Sequence, residues 1–147
     1  MNTSISTLLA SKGGALRTVP STVTVSEAVL EMNRHKIGAI LVMNDATLTG
    51  IFTERDVLTR VVAGNLDPKT TPITAVMTAN VLTVAPNTTV QQVMDIFAER
   101  HCRHLPVIEG GRLTGLISIG DVSRWVANAH RAEAESLRQY ISGGLSS

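Results

Sequence analysis

Cysteine occurs once, as Cys102, among 147 residues. No disulfide can close within the chain, and a reducing compartment is the expectation. Aromatic side chains make up only 3% of the residues and charged ones 17%. Nucleic-acid-binding faces usually combine a basic excess with stacking rings. Here the net charge is +1, without an Arg/Lys run. No apolar stretch approaches the roughly 18–20 residues of a membrane span. The first residues, MNTSISTLLASKGG, lack the charged segment followed by an apolar one that marks a secretory leader. These deficits lead to the expectation of a cytoplasmic protein with no nucleic-acid or membrane partner. The Gly-rich Lys-containing phosphate loop, the GxSxG elbow and the HExxH zinc motif are also missing, so no enzyme is expected.

What the chain does hold is apolar material, 44% of it, mostly Val, Leu, Ile and Ala. That is enough to bury a core. It also repeats itself. "LTGIFTERDV" at 48–57 returns as "LTGLISIGDV" at 113–122, an offset of 65 residues. "TVPSTVTVSEAV" (18–29) lies over "TVAPNTTVQQVM" (83–94) at the same offset. "IGAILVMNDATLTG" (37–50) lies over "CRHLPVIEGGRLTG" (102–115). Two copies of this length point to a supersecondary unit duplicated around a pseudo-twofold axis.

Each copy reads β–α–β–β–α. A short extended piece (Thr18-Val19; Thr83-Val84) precedes a Pro-containing turn. An amphipathic helix follows Ser26, with Ala28, Val29 and Met32 on one face; its counterpart presents Val93, Met94 and Phe97. Two strands then form a hairpin, 39–43 with 48–52 and 105–108 with 113–117. Their turns are read at Asn44-Asp45 and Gly110-Gly111. A last helix starts near Asp56 or Asp121. Short helical fragments, "ISTLL" (5–9) and "ITAVM" (73–77), precede the copies. Their offset of 68 leaves three extra residues in the Ser11–Leu16 loop. The expected class is α/β (α+β), with two small units packed sheet to sheet. The units are placed at 5–66 and 73–130, with an extension at 131–147. The segment "DVSRWVANAHRAEAESLRQYI" (121–141) reads as a long helix ending at Gly143-Gly144. Val122, Trp125, Val126, Ala129, Leu137 and Tyr140 form its apolar stripe. That stripe could pack on "ISTLL" or meet another chain.

The tandem arrangement, "RHLPVIEGGRLTGLISIGDV", and a Gly-x-x-Ser/Thr-x-x-Asp signature in both copies resemble the CBS domain, the module of cystathionine beta-synthase. The resemblance covers nearly the whole chain. It implies a regulatory sensor of adenine nucleotides (AMP, ADP, ATP, NAD(H) or S-adenosylmethionine) with two clefts between the repeats. It further implies a homodimer and a separate effector protein, because almost no chain is left for an effector domain.

Two readings compete for Thr53-x-x-Asp56 and Ser118-x-x-Asp121. One is a capping box, the hydroxyl accepting from a backbone N–H of the first helical turn and the acid reaching back. The other is a carboxylate that accepts from both ribose hydroxyls, with the hydroxyl near a phosphate. By resemblance, the stronger site joins Asp121, Ser118, Arg103 and His104 to Thr18, Val19 and Ala39. The weaker joins Asp56, Thr53 and Arg55 to Gly38, Thr83, Val84 and Pro106. In the segment "HCRHLPV" (101–107), Arg103 and His104 would face phosphates, while Gly38 and Ala39 at the matching positions would leave room for a base. A zinc reading of this His/Cys cluster lacks a second ligand group. Cys102 reads as an inert thiol.

Overall fold

Two threonines start the equivalent helices. The computed structural model describes residues 2–13 and 16–146, with side chains as far as Ile141. Thr24 Oγ1 accepts from the Glu27 N–H at 3.3 Å and opens α2, Val25–His35. Thr89 Oγ1 accepts from the Gln92 N–H at 3.2 Å, and Gln92 Oε1 accepts from the Thr89 N–H at 2.9 Å, a full capping box for α4, Val90–Arg100. The expected start after Ser26 is therefore corrected: Ser26 lies inside the helix, and the cap is two residues earlier. Both helices stop on a left-handed residue, Lys36 and His101.

A hairpin follows each helix. β2 (Ala39–Asn44) runs antiparallel to β3 (Thr47–Thr53), with Ala39 opposite Thr53. Asp45 takes positive φ at the turn, which occupies Asp45-Ala46 and so sits one residue beyond the expected pair. β1 (Thr18–Pro20) adds in parallel on the other edge of β2. β4 (His104–Glu109) and β5 (Arg112–Ser118) form a two-stranded sheet. They turn at Gly110-Gly111, both at positive φ, which Gly adopts without steric cost. The expected extended piece Thr83-Val84 is reduced to one parallel bridge. Val84 N–H donates to Pro106 O, and Ile108 N–H donates to Val84 O. Beyond them, Pro86 has no N–H to carry a ladder onward.

Contacts group these elements into two units that interleave in sequence. One holds β1, α2, β2, β3, the segment to Ala85, and most of the second hairpin (Leu105–Leu116). β2 is buried on both faces, so it reads as an unbroken apolar run. Ile40 and Val42, with Phe52 from β3, pack on Val25, Ala28 and Met32 of α2 and on Ile73 and Val76. Ala39, Leu41 and Ile51 point the other way, where Leu113 and Leu116 of β5 pack against them. The two hairpins thus meet sheet to sheet, and the fold is the mixed α/β architecture read from the repeat. After β3, a single turn α3 (Glu54–Asp56) widens into a π-helical turn, Val57–Val62.

The other unit gathers α1 (Ile5–Lys12), α4 and α5 (Ile119–Ser146). α1 is tied to the start of α4 by Ile5 N–H to Thr88 O and Val90 N–H to Thr3 O, both 2.8 Å. Ile5 and Leu8 are buried, as are Val90, Val93, Phe97, Ile117 and Val122. α5 contacts both α1 and α4. It continues through Gly143-Gly144 instead of ending there, so that expectation is corrected. Unbroken helical hydrogen bonding tolerates Gly at a cost of about 1 kcal/mol each. Val122 is buried and Trp125 and Val126 are half-buried, whereas Ala129, Leu137 and Tyr140 are exposed. Only the first half of the predicted stripe is covered. Among the described residues, no helix is long and apolar enough to cross a membrane.

Candidate functional site

β3 ends on Thr53 and β5 on Ser118, and each strand passes straight into a helix. Three residues on stand Asp56 and Asp121, 8% and 7% exposed. Among the described residues these are the only buried polar or charged side chains. A buried carboxylate needs partners, and each finds the same ones locally. Thr53 N–H donates to Asp56 Oδ2 at 2.9 Å, and Asp56 N–H returns to Thr53 Oγ1 at 3.3 Å. Ser118 N–H donates to Asp121 Oδ2 at 2.9 Å, and Asp121 N–H returns to Ser118 Oγ at 3.1 Å. Both turns are reciprocal caps.

The cations beside them differ. Lys12 Nζ donates to Asp121 Oδ2 at 2.9 Å, and Arg124 donates to Oδ1. Among the described residues, Asp56 has only Arg60 as an ion-pair partner, with Nε 3.6 Å from Oδ1. Burial by itself would raise the Asp121 carboxyl. The bonds from Lys12 and from the Ser118 backbone outweigh it and hold the group below the ordinary aspartate range. Sequence reasoning missed both Lys12 and Arg124. Arg124 was within reach of a helical i,i+3 search. Lys12 lies 109 positions away, at the end of α1, and no local pattern points to it.

Of the residues expected in the stronger site, Asp121, Ser118, Arg103 and His104 fall in one unit. Arg103 is exposed, and its carbonyl accepts from Ile119 N–H at 2.9 Å, which sets it beside the Ser118–Asp121 turn. His104 is half-buried at the start of β4. Thr18, Val19 and Ala39 belong to the other unit. Thr18 is exposed, while the Val19 and Ala39 side chains are buried in that unit's core. Neither side chain reaches the surface.

The weaker set lies within one unit. Glu54 N–H donates to Gly38 O at 3.0 Å, which brings Gly38 to Thr53 and Asp56. The exposed Glu54 carboxylate stands beside Gly38: a Cβ there would meet its Cδ at 3.4 Å, an ordinary contact. An anion at that point opposes a phosphate. Arg55 is exposed on the next position. Val84 and Pro106 are buried and hydrogen-bonded at 3.0 Å, and Thr83 is exposed beside them. Burial pushes the Cys102 thiol up, against the pull of its own backbone bond and Arg100, so it is not poised as a nucleophile. No group of three or more His, Cys, Asp or Glu side chains able to hold a metal occurs among the described residues.

A duplicated β–α–β–β–α module, each copy with a buried Asp on a Ser/Thr-capped strand-to-helix turn, is the class of protein these features define. The CBS domain family model matches residues 15–63 and 73–128, and the chain belongs to the CBS domain family. It is 36% identical over 152 aligned residues to the mitochondrial CBS domain-containing protein CBSX3 of Arabidopsis thaliana, covering 97% of this chain and 74% of that protein. The crystal structure of the CBS-domain containing protein ATU1752 from Agrobacterium tumefaciens superposes with a TM-score of 0.78 at 40% identity, over 83% of this chain and 98% of that one. The CBS domain protein PAE2072 from Pyrobaculum aerophilum, complexed with AMP, superposes with a TM-score of 0.73 at 26% identity, over 81% and 89%.

Proposed function

We propose that this chain is a regulatory, non-catalytic module that binds an adenine nucleotide through its two Ser/Thr-x-x-Asp turns and passes the resulting change to a separate protein. The observation that carries this reading is the burial of Asp56 and Asp121 at equivalent turns, with no other buried polar side chain among the described residues. A cap alone works as well with an exposed acid. An enclosed carboxylate can accept two hydroxyls of a ribose at a place shielded from bulk water. The AMP complex of a related protein supports an adenine ligand. Asp121 with Ser118, Arg103 and His104 forms the stronger half-site. Asp56 and Thr53 form the weaker one, because a carboxylate, Glu54, stands beside Gly38 where a phosphate would be opposed. Modules at 5–66 and 73–130, a homodimer and a reducing, cytoplasmic compartment complete the proposal. Ligand binding would act by linkage, favouring one arrangement and so shifting its population.

Thermal unfolding against AMP, ADP, ATP, NAD, NADH and S-adenosylmethionine tests this, with Asp121→Ala and Asp56→Ala in parallel. A ligand at 100 times its Kd adds about 2.7 kcal/mol, a rise of roughly 5–10 °C for a chain of this size. The rise is expected with at least one adenine ligand and is lost in Asp121→Ala. A second reading, a ligand-free interaction module, is favoured by one observation: both carboxylates are already satisfied by caps and cations. No thermal rise with any ligand selects that reading.

A further inference from the structure

Arg60 joins two features of one unit. It lies in the π-helical turn, a rare geometry that recurs at functional positions. Its Nε stands 3.6 Å from Asp56 Oδ1. Its Nη1 donates to Val76 O and to Met77 O, both at 3.0 Å. These carbonyls follow a single 3₁₀ turn, Ile73–Ala75, and a carbonyl at the end of such a turn needs an outside donor. One residue further the chain pairs with β3. Thr78 N–H donates to Ile51 O at 2.9 Å, and Ile51 N–H donates to Thr78 O at 3.0 Å. Residues 76–78 carry the chain from the first β–α–β–β–α copy toward the second. The Arg60 side chain is 46% exposed, so polar partners and not packing set its aim. A guanidinium is planar and rigid: holding Nε fixes the direction of Nη1. In the second repeat the position matching Arg60 is Trp125, and the carbonyls matching Val76 and Met77 belong to Leu8 and Leu9. Those two accept at the end of α1 instead, from Ser11 Oγ at 3.2 Å and from Gly13 N–H at 3.4 Å.

We propose that Arg60 is a latch that ties the Asp56 carboxylate to the connector between the repeats. With Asp56 charged and in place, Nε is held and Nη1 closes on the two carbonyls, which keeps residues 76–78 on the edge of β3. A group that takes Asp56 Oδ1, or an anion that draws the guanidinium away, opens the latch and loosens that edge first. The latch belongs to the chain itself and holds whether or not an adenine nucleotide is what reaches Asp56.

NMR of the full chain without ligand tests it, in wild type, Arg60→Met, Asp56→Asn and the double variant. Amide order parameters at residues 76–78 are expected to match those of β2 in wild type and to fall below them in Arg60→Met. The Thr78 and Ile51 amides exchange with solvent about tenfold faster in Arg60→Met, the scale of a charge-assisted hydrogen bond reduced by exposure. In Asp56→Asn the same two amides exchange about twofold faster, and in the double variant no faster than in Arg60→Met. Arg60→Lys, which keeps the cation without the fork, replaces Arg60→Met if circular dichroism shows the latter to be unfolded. Order parameters at 76–78 that stay level with β2, or unchanged exchange at Thr78 and Ile51, overturn the latch. Effects on exchange that multiply in the double variant show that Asp56 does not act through Arg60, and they overturn it as well.

Discussion

Replacing Asp121 by Asn keeps the shape of the side chain and removes its charge. The amide oxygen can still accept from Ser118 N–H, so the cap survives. The amide NH2 then faces a cation, and the charge-assisted bonds to Lys12 and Arg124 are lost. Hydrogen bonds to a charged group contribute about 1.5–3 kcal/mol when well enclosed, and exposed ion pairs about 0.2–1 kcal/mol. Asp121 is enclosed, but the Lys12 and Arg124 side chains are 38% and 69% exposed, so solvent screening cuts the sum. A loss of about 1–2 kcal/mol results. At about 2–4 °C per kcal/mol this lowers Tm by roughly 2–8 °C. Asp56→Asn is the internal control. Its cap is the same, and its Arg60 stands at 3.6 Å, so its cost is at most about 0.5 kcal/mol. Urea unfolding of both variants in low salt, repeated in 1 M NaCl, reads the difference. High salt narrows the gap between the two variants, because the Debye length falls to about 3 Å. Equal losses in the two variants, or no loss in Asp121→Asn, would show that Lys12 and Arg124 stabilise nothing and that the asymmetry between the turns has no energetic content.

Two further outcomes follow from the same geometry. Because the Asp121 carboxyl is depressed in the folded state, its contribution is complete above the ordinary aspartate value and is lost as pH falls through the lower folded value. The stability gap between wild type and Asp121→Asn is therefore constant from about pH 7 to 5 and closes below about pH 4, as urea midpoints at each pH will show. Gly50→Ala places a methyl 2.5 Å from Met77 Sδ and 2.9 Å from Thr78 O. The sulfur can swing aside, but the Thr78 carbonyl is held by Ile51 N–H at 3.0 Å. A cost of about 1–3 kcal/mol is expected, and a urea midpoint unchanged from wild type would show that the bridge yields freely.

The fold was legible because its signal is repeated. Gly50, Thr53 and Asp56 return as Gly115, Ser118 and Asp121, and β2 and α2 carry clear burial patterns. Boundaries were less legible. Thr24 and Ser26 are both acceptable caps, and only the Glu27 N–H shows which one serves. The π-helical turn after Asp56 has no local composition that distinguishes it from an α-helix. The site was half legible. Both aspartates and their hydroxyl partners stand where the motif puts them, because capping is local. Lys12 was invisible, because its pairing depends on α1 joining the helices of the second repeat. Val19 and Ala39 are expected beside a ligand base, and their side chains lie in core clusters. Alternation alone does not tell a strand buried on both faces from one with a free face.

The most direct test of the central claim is calorimetric titration of AMP into wild type, Asp121→Ala, Asp56→Ala and the double variant. The account predicts binding to wild type, with the tighter component lost in Asp121→Ala, any weaker component lost in Asp56→Ala, and none left in the double variant. Affinity and stoichiometry that are the same in wild type and the double variant would contradict it.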